Sequence, residues 1–273
     1  MSLFVCPVCA GALVRGEREY RCPAGHSYDI AREGYVHLLP ANRKHSKSPG
    51  DDREMVAARS RFLDGGWYEP LREALCALAL RALPRGGAVL DAGCGEGYYT
   101  EGVVRAFQGA GRPLEAAGVD LSKFALKRAA RRVREAAFAV ASVYRLPLAA
   151  ETADLVIDCF SPLAAEEYRR VLRPGGTFLY VVPGGDHLME MKRVLYDEVY
   201  ENPEERTLYE GFSYVDVTPV RSRFTLPDSK SIMDLFGMTP YAWKTPRAGV
   251  ERLRAAASLT VTASFAIHAF RRL

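Results

Sequence analysis

Four residues early in the sequence have the donor types and spacing of a metal site. Cys6-Pro7-Val8-Cys9 puts two thiols on one tight turn; twelve residues later, Cys22-Pro23-Ala24-Gly25-His26 puts a thiol and an imidazole on another. Soft and borderline donors in this number suit tetrahedral Zn²⁺. Four protein ligands leave no open coordination position, so the ion is expected to be structural rather than catalytic. A redox C-x-x-C is the main competitor, and it would leave Cys22 and His26 unexplained. The segment is too short to bury a core of its own, so metal binding is expected to supply its folding energy. His37 lies in an apolar stretch outside this complete donor set and is read as a packing or hydrogen-bonding residue, not as a ligand.

A second stretch able to do chemistry is Val89-Leu90-Asp91-Ala92-Gly93-Cys94-Gly95-Glu96-Gly97-Tyr98-Tyr99-Thr100. An apolar run ends in an acid, then in alternate glycines, then in residues that can be helical. That order is strand, tight turn, helix. Gly93, Gly95 and Gly97 let the backbone turn sharply and approach a ligand. The N–H groups opening the next helix would face that ligand. A pyrophosphate turn needs G-x-G-x-x-G. Here the third glycine comes one residue early, and Tyr98 stands where that pattern needs glycine. Asp91 ahead of the glycines suits a cationic or amino-bearing ligand better than a phosphate. The pattern looks like the first motif of S-adenosylmethionine (SAM)-dependent methyltransferases. The competing reading is a structural glycine turn in some other α/β protein.

Further positions extend the ligand reading. A second apolar run ends Gly118-Val119-Asp120-Leu121-Ser122. An acid one βαβ step after the glycine turn can accept both ribose hydroxyls, and Ser122 is the better helix cap. The third strand, Phe138 to Val143, exits through Ser142, where methyltransferases often carry an acid. Adenine would then be read by the Ser142 hydroxyl or by backbone around Val143. The fourth strand runs from Asp154 to Pro162. Phe160 at its end could stack on a flat base. Cys159 is read as packing, and Asp158 is a loop acceptor as readily as a base. The Arg173-Pro174-Gly175-Gly176 turn leads to a fifth strand, Thr177 to Val182. His187 beyond it sits at the ligand edge of an open α/β sheet, better placed than any other histidine; its alternative is a helix start turned to solvent. Tyr68, entering a helix, could reach the cofactor, although position alone favours an interfacial core tyrosine.

These residues need a scaffold, and the composition allows one. With 48% hydrophobic and 26% charged residues in a 273-residue chain, a soluble globular protein with a sizeable core is expected. No apolar run reaches membrane-spanning length and no secretory leader is visible, so a cytoplasmic protein without a membrane partner is expected. The net charge of +4 is compatible with a polyanionic partner but below that of a dedicated nucleic-acid-binding domain. Residues 1–40 form the zinc ribbon, 41–53 a linker, and 54–273 the main domain. The linker is polar and basic, either a solvated connector or a phosphate-contacting strap. Helices are expected over Glu54–Leu63 and from Leu71 to Leu83. The Arg- and Lys-rich helix from Lys123 to Ala137 is read as a solvated face, not as an RNA site. Strand-like runs at 212–220, 222–226 and 259–269 suit a closing antiparallel pair. The expected fold is α/β: a class I, Rossmann-like methyltransferase with a seven-stranded, mostly parallel sheet and an N-terminal zinc ribbon.

The whole chain resembles the RlmA family of large-subunit rRNA guanine-N1 methyltransferases. The resemblance is carried by Cys6/Cys9/Cys22/His26, Arg32-Glu33-Gly34-Tyr35-Val36, Met55 through Leu71, the Asp91–Thr100 turn, His187-Leu188-Met189-Glu190 and Met238-Thr239-Pro240. It implies methylation of guanine N1 in the helix 35 hairpin of 23S rRNA, structural zinc, SAM, a homodimer and a ribbon that helps hold RNA. It points to Tyr68, the Gly95-Glu96 turn and His187 as cofactor contacts. The segments Cys94–Tyr99 and Met238–Pro240 resemble the branch acting at guanine 745, rather than the macrolide-resistance branch acting at guanine 748. Phe160-Ser161-Pro162 departs from the family's aromatic-Ala-Pro. The alternatives are a small-molecule methyltransferase with a zinc ribbon and a non-catalytic SAM- or RNA-binding protein.

Overall fold

The computed structural model describes residues 3–40, 50–203 and 207–273. The linker reading therefore lies mostly outside the described residues. The ribbon contributes β1 (Val14–Arg15), β2 (Glu19–Arg21) and β3 (Ser27–Asp29), a three-stranded antiparallel sheet, and then β4 (Tyr35–His37). The main domain follows with α1 (Arg53–Asp64), α2 (Glu69–Ala82), β5 (Gly87–Ala92), α3 (Tyr98–Gly109), β6 (Leu114–Asp120), α4 (Lys123–Arg132) and β7 (Ala137–Val140). It continues through β8 (Ala153–Cys159), α5 (Ala165–Val171), β9 (Leu172–Pro183), α6 (Met189–Leu195), β10 (Phe212–Leu226), α7 (Ser229–Gly237), α8 (Arg247–Ala255) and β11 (Leu259–Arg272).

The main sheet has eight strands in the order β10-β11-β9-β8-β5-β6-β7-β4. The expected seven are β5 to β11. The eighth is β4, which leaves the ribbon and pairs in parallel with β7, Val36 beside Ala139. Strands β4 to β9 run parallel, whereas β11 pairs antiparallel with both β9 and β10. The strand order reverses at β5, so the crevice beyond its C-terminal end is where this architecture binds ligands. The glycine turn begins there.

Alternation along the buried strands feeds two cores. Val89, Leu155 and Ile157 pack on one face with residues of α2, α3, α6 and α7. Leu90 and Val156 pack on the other with Tyr168 and Val171 of α5. The second face carries a feature invisible from local pattern. The crossover between β7 and β8, residues 141–152, contains no helix. Phe4, Leu13 and Tyr20 of the ribbon join the same core as Leu146 and Leu148 from that crossover. The Val5 N–H donates to the Pro147 carbonyl at 2.8 Å. The ribbon thus covers apolar surface that a crossover helix would otherwise bury, and it is part of the methyltransferase core.

Capping explains where the helices near the site begin. Asp52 accepts from the N–H groups of Glu54 and Met55, both at 2.9 Å, and starts α1. Ser122 accepts from the Ala125 N–H and starts α4. This helix ends at Arg132, short of the expected Ala137, as Val133 takes extended dihedrals. Its basic face is also less free than expected: Glu33 of the ribbon pairs with Lys127 at 3.8 Å and Arg131 at 3.2 Å. The two late runs at 212–220 and 222–226 are one continuous strand, β10. Among the described residues no helix is long and apolar enough to cross a membrane.

Candidate functional site

The ribbon gathers its four donors as the spacing predicts. The ligand atoms of Cys6, Cys9, Cys22 and His26 all lie within 4.8 Å of one another. Cys9 Sγ is 3.6 Å from Cys22 Sγ, and His26 Nδ1 is 3.4 Å from Cys22 Sγ and 3.6 Å from Cys6 Sγ. Tetrahedral edges around a Zn²⁺ with ordinary Zn–S bonds are about 3.8 Å. The donor set therefore fits the ion and closes its coordination shell. The Tyr28 hydroxyl, 3.0 Å from Cys6 Sγ, is placed to steady that sulfur.

The glycine turn has the backbone that its glycines allow: φ is +79° at Gly93, +54° at Gly95 and +80° at Gly97. The N–H groups of Gly93 and Cys94 both reach the Val119 carbonyl, at 2.8 and 3.0 Å, and bind the turn to the end of β6. A Cβ on Gly97 would come within 3.1 Å of Ala129, so this glycine also lets α4 pack close. On Gly95 a Cβ would meet only Arg59, at 3.8 Å, so the outer face of the turn is open to a ligand. Asp91 is buried and accepts from the Thr100 hydroxyl at 2.5 Å. Burial, then the charges of Asp158 and Asp120, push its carboxyl up to about 7 despite that bond. Three acids thus converge where a cationic ligand would relieve their repulsion.

Asp120 closes the neighbouring strand. One carboxylate oxygen accepts from the Gly95 N–H at 3.0 Å and the other from the Ser122 N–H at 2.7 Å. Each oxygen keeps a second lone pair, enough for a ribose diol. Burial raises the Asp120 carboxyl. Leu121 is half-buried beside it, and Val143 is buried in the chain just past β7. The Ser142 hydroxyl accepts from the Tyr144 N–H at 3.3 Å and retains its own proton as a donor. The chain entering α1 borders this region: the Ser122 hydroxyl donates to the Asp51 carbonyl at 2.6 Å, and Asp51 pairs with Arg59.

Within the Gly95-Glu96 turn, the Glu96 side chain points inward. Its carboxylate is buried and accepts from the Ser60 hydroxyl and from Arg132 at 3.2 Å. Arg132 also pairs with Asp64 at 2.6 Å and Glu101 at 3.2 Å. The side chain braces the turn against Ser60 of α1 and Arg132 of α4. Burial raises its carboxyl.

His187 and Tyr68 meet across the mouth of the site. The His187 ring is 6.3 Å from the Tyr68 ring and 4.7 Å from Phe265. His187 is buried, not turned to solvent, and its Nδ1 accepts from the Ser264 N–H at 3.2 Å. Burial pushes its pKa down to about 4. The neutral ring therefore carries its proton on Nε2 and acts as a donor. Tyr68 packs edge-on against Phe62 and Phe265, at 5.0 and 4.9 Å. Asp158 is fully buried and bonded to the Tyr168 hydroxyl at 2.7 Å, so it is not poised as a base. Burial, then the charges of Asp91 and Asp158, raise the Cys159 thiol, which stays protonated as a packing group.

The fold thus brings Tyr68, Asp91, Gly93, Gly95, Gly97, Asp120, Leu121, Ser142, Val143 and His187 to the C-terminal ends of β5, β6, β7 and β9. The residues fit SAM: an acid-lined cradle, an open glycine and the buried Tyr99 and Ser161 hydroxyls, which find no hydrogen-bond partner among the described residues. Sequence reading missed Asp51, Arg59, Ser60, Thr100, Arg132, Ser264 and Phe265. Only Thr100, in the first turn of α3, had a local signal. A groove of about 720 Å³ lined by residues such as Leu83, Gly87, Pro113 and Arg173 lies at the opposite, N-terminal strand ends, away from this chemistry.

Comparison with known proteins agrees with both halves. A family model described as RlmA, N-terminal, matches residues 4–47, and one described as a methyltransferase domain matches residues 89–176. A Micromonospora griseorubida protein, provisionally named a 23S rRNA (guanine-N(1)-)-methyltransferase, is 39% identical over 97% of this chain and 95% of its own. The 23S rRNA (guanine(748)-N(1))-methyltransferase of Streptomyces fradiae is 39% identical over 87% of this chain and 85% of its own. Bacillus subtilis YxjB, also provisionally named as a 23S rRNA (guanine-N(1)-)-methyltransferase, is 31% identical over 96% and 94%. The zinc ribbon built into a SAM-binding core, matched nearly end to end by these relatives, places the chain in the RlmA family of SAM-dependent 23S rRNA (guanine-N1)-methyltransferases.

Proposed function

We propose that the protein methylates N1 of one guanine in the helix 35 hairpin of 23S rRNA, and that this guanine is the one at position 748. The observation that carries the position is the Streptomyces fradiae relative, whose name specifies guanine 748 and which covers most of this chain. The segments Cys94–Tyr99 and Met238–Pro240 favour the neighbouring position 745, which is the second reading.

When bound, SAM supplies a methyl carbon on a sulfonium, open to in-line attack. Asp91 would meet the positive end of the cofactor, Asp120 its ribose, and Leu121, Ser142 and Val143 its adenine. Gly93, Gly95 and Gly97 give the backbone room, the Nε2–H of His187 is a donor, and Tyr68 closes the far wall. The target base must leave its pair to expose N1. Methylation replaces the N1 proton, which leaves to solvent or buffer. The chain's own contribution is to hold N1 in line and to exclude competing nucleophiles, as with Cys159 kept as a thiol. A homodimer, implied by the family resemblance, and a cytoplasmic location, expected from the sequence, belong to this proposal.

Nucleoside mass spectrometry and primer extension on 23S rRNA from a deletion strain test it. One 1-methylguanosine in helix 35 should disappear and return with the gene. A stop restored at 748 supports the first reading and one at 745 the second; an unchanged helix 35 sinks both. Light scattering of the purified chain tests the dimer, which a monomer mass would refute.

A further inference from the structure

The loop leaving β8 is not an ordinary strand exit. Phe160 has φ +64°, in the left-handed region, which bulky non-glycine residues occupy only when the surroundings impose it. Its ring is 45% exposed, so burying the ring does not offset the strain. What imposes the conformation lies beneath. The fully buried Asp158 accepts from the Ser161 N–H at 3.0 Å and from the Tyr168 hydroxyl at 2.7 Å. Tyr168 is itself fully buried in α5, against Phe178. The chain on either side of Phe160 is therefore anchored to the core.

The anchored loop sends the Phe160 ring across the mouth of the site. It stands 5.5 Å from Phe265 and 6.5 Å from Tyr99. Phe265 continues the row to Tyr68 and His187. Within this row Phe160 alone is exposed, and it lies at the strand end that faces the cofactor crevice. A strained, exposed aromatic at the end of an aromatic wall is available to a flat partner.

We propose that Phe160 is the platform on which the target base stacks, and that the Asp158–Tyr168 pair is the clamp that positions its ring. This rests on the reading of an rRNA guanine as substrate. A base taken out of its helix loses its stacking neighbours, and an aromatic face restores one while leaving the N1 edge free. Phe160 touches substrate in this account; Asp158 and Tyr168 act through it.

The test uses the full-length, zinc-loaded chain and a transcript of the helix 35 hairpin. Phe160→Leu should lower kcat/KM for RNA by about 10–100-fold, the range of base–aromatic stacking, and leave the SAM Kd unchanged. Phe160→Tyr, which keeps a ring, should restore most of the activity. Phe160→Gly should match the Leu variant in activity without lowering Tm, because glycine adopts this φ freely. Tyr168→Phe should raise KM for RNA while SAM still binds. A hairpin with 2-aminopurine at the target should fluoresce more brightly on Phe160→Leu than on wild type, since the probe loses its stacking partner. Wild type active on the hairpin with Phe160→Leu within about twofold of it overturns this inference alone. So does a Phe160→Gly variant that melts early and loses SAM, the behaviour of a packing residue. Wild type inactive on the hairpin overturns the substrate reading, and this inference with it.

Discussion

The Nδ1 atom of His187 accepts a hydrogen bond from the backbone N–H of Ser264 at 3.2 Å, and this bond joins the exit of β9 to β11. It assigns the proton to Nε2, which faces away from Ser264, and burial keeps the ring neutral down to about pH 4. Replacing His187 with Gln retains a donor near Nε2, whereas Leu removes it. The Gln variant should bind SAM about tenfold more tightly than the Leu variant by calorimetry. Equal affinities would show that His187 only packs.

Asp91 gives cofactor binding a pH dependence. Its carboxyl is pushed up to about 7, first by burial and then by Asp158 and Asp120. An amino-bearing cation favours the ionised form, so affinity for SAM should rise from pH 5 to about 7 and level off above. Asp91→Asn should lower affinity by about tenfold or more and abolish the slope. A slope that survives in this variant assigns the proton elsewhere.

The same groups set the pH dependence of the ligand-free fold. Asp91 and Asp158 titrate at about 7 and about 6 in the folded chain, above the ordinary value of 3.8. The unfolded chain loses these protons first, so the stability they contribute is complete below pH 3.8 and is lost as pH rises through 6 to 7. His187 acts in the other sense: its contribution is present above 6.5 and is lost as pH falls toward 4. The Tm of wild type relative to Asp91→Asn should therefore fall steadily between pH 4 and 7 in thermal melts without cofactor. A constant difference would mean that Asp91 is not buried as a neutral acid.

Zinc loss should reach beyond the ribbon. β4 pairs with β7, and Phe4 and Tyr20 cover the crossover that follows it. A Cys6→Ser/Cys9→Ser double variant should lose its zinc and at least about 3 kcal/mol, or roughly 6–10 °C in Tm. Hydrogen exchange should accelerate at Ala137–Val140 and Leu146–Leu148 as well as in the ribbon. Unchanged zinc content would refute the ligand set, and acceleration confined to the ribbon would refute its structural role in the core.

Arg132 is the partner that keeps Glu96 buried behind the glycine turn. Arg132→Ala should cost about 2–3 kcal/mol by leaving that carboxylate underpaired, and should weaken SAM binding by loosening the turn. Glu96→Leu combined with Arg132→Met should recover the part of the stability lost at Glu96, because that unpaired charge is gone. Additive losses in this double variant, measured by denaturant unfolding, would show that the two residues do not act as a pair.

What the sequence alone determined is chemistry carried by near neighbours. Cys6 with Cys9, Cys22 with His26, the alternate glycines after Asp91 and the cap at Ser122 each complete their geometry within a few residues, where covalent spacing leaves the backbone few choices. The acid at Asp120 was also legible, because strand, turn and helix repeat in a regular α/β chain. The tertiary structure decided the rest. Val36 pairs with Ala139, Ser60 with Glu96 and His187 with Ser264, each across tens of residues or more. No local preference selects such partners; they are chosen when whole elements pack and every buried donor must find an acceptor. That requirement bound the Glu96 carboxylate to Ser60 and Arg132, buried His187 as a neutral donor and made the ribbon's β4 an eighth strand of the sheet. It also left Phe160 as the exposed ring at the mouth of the site.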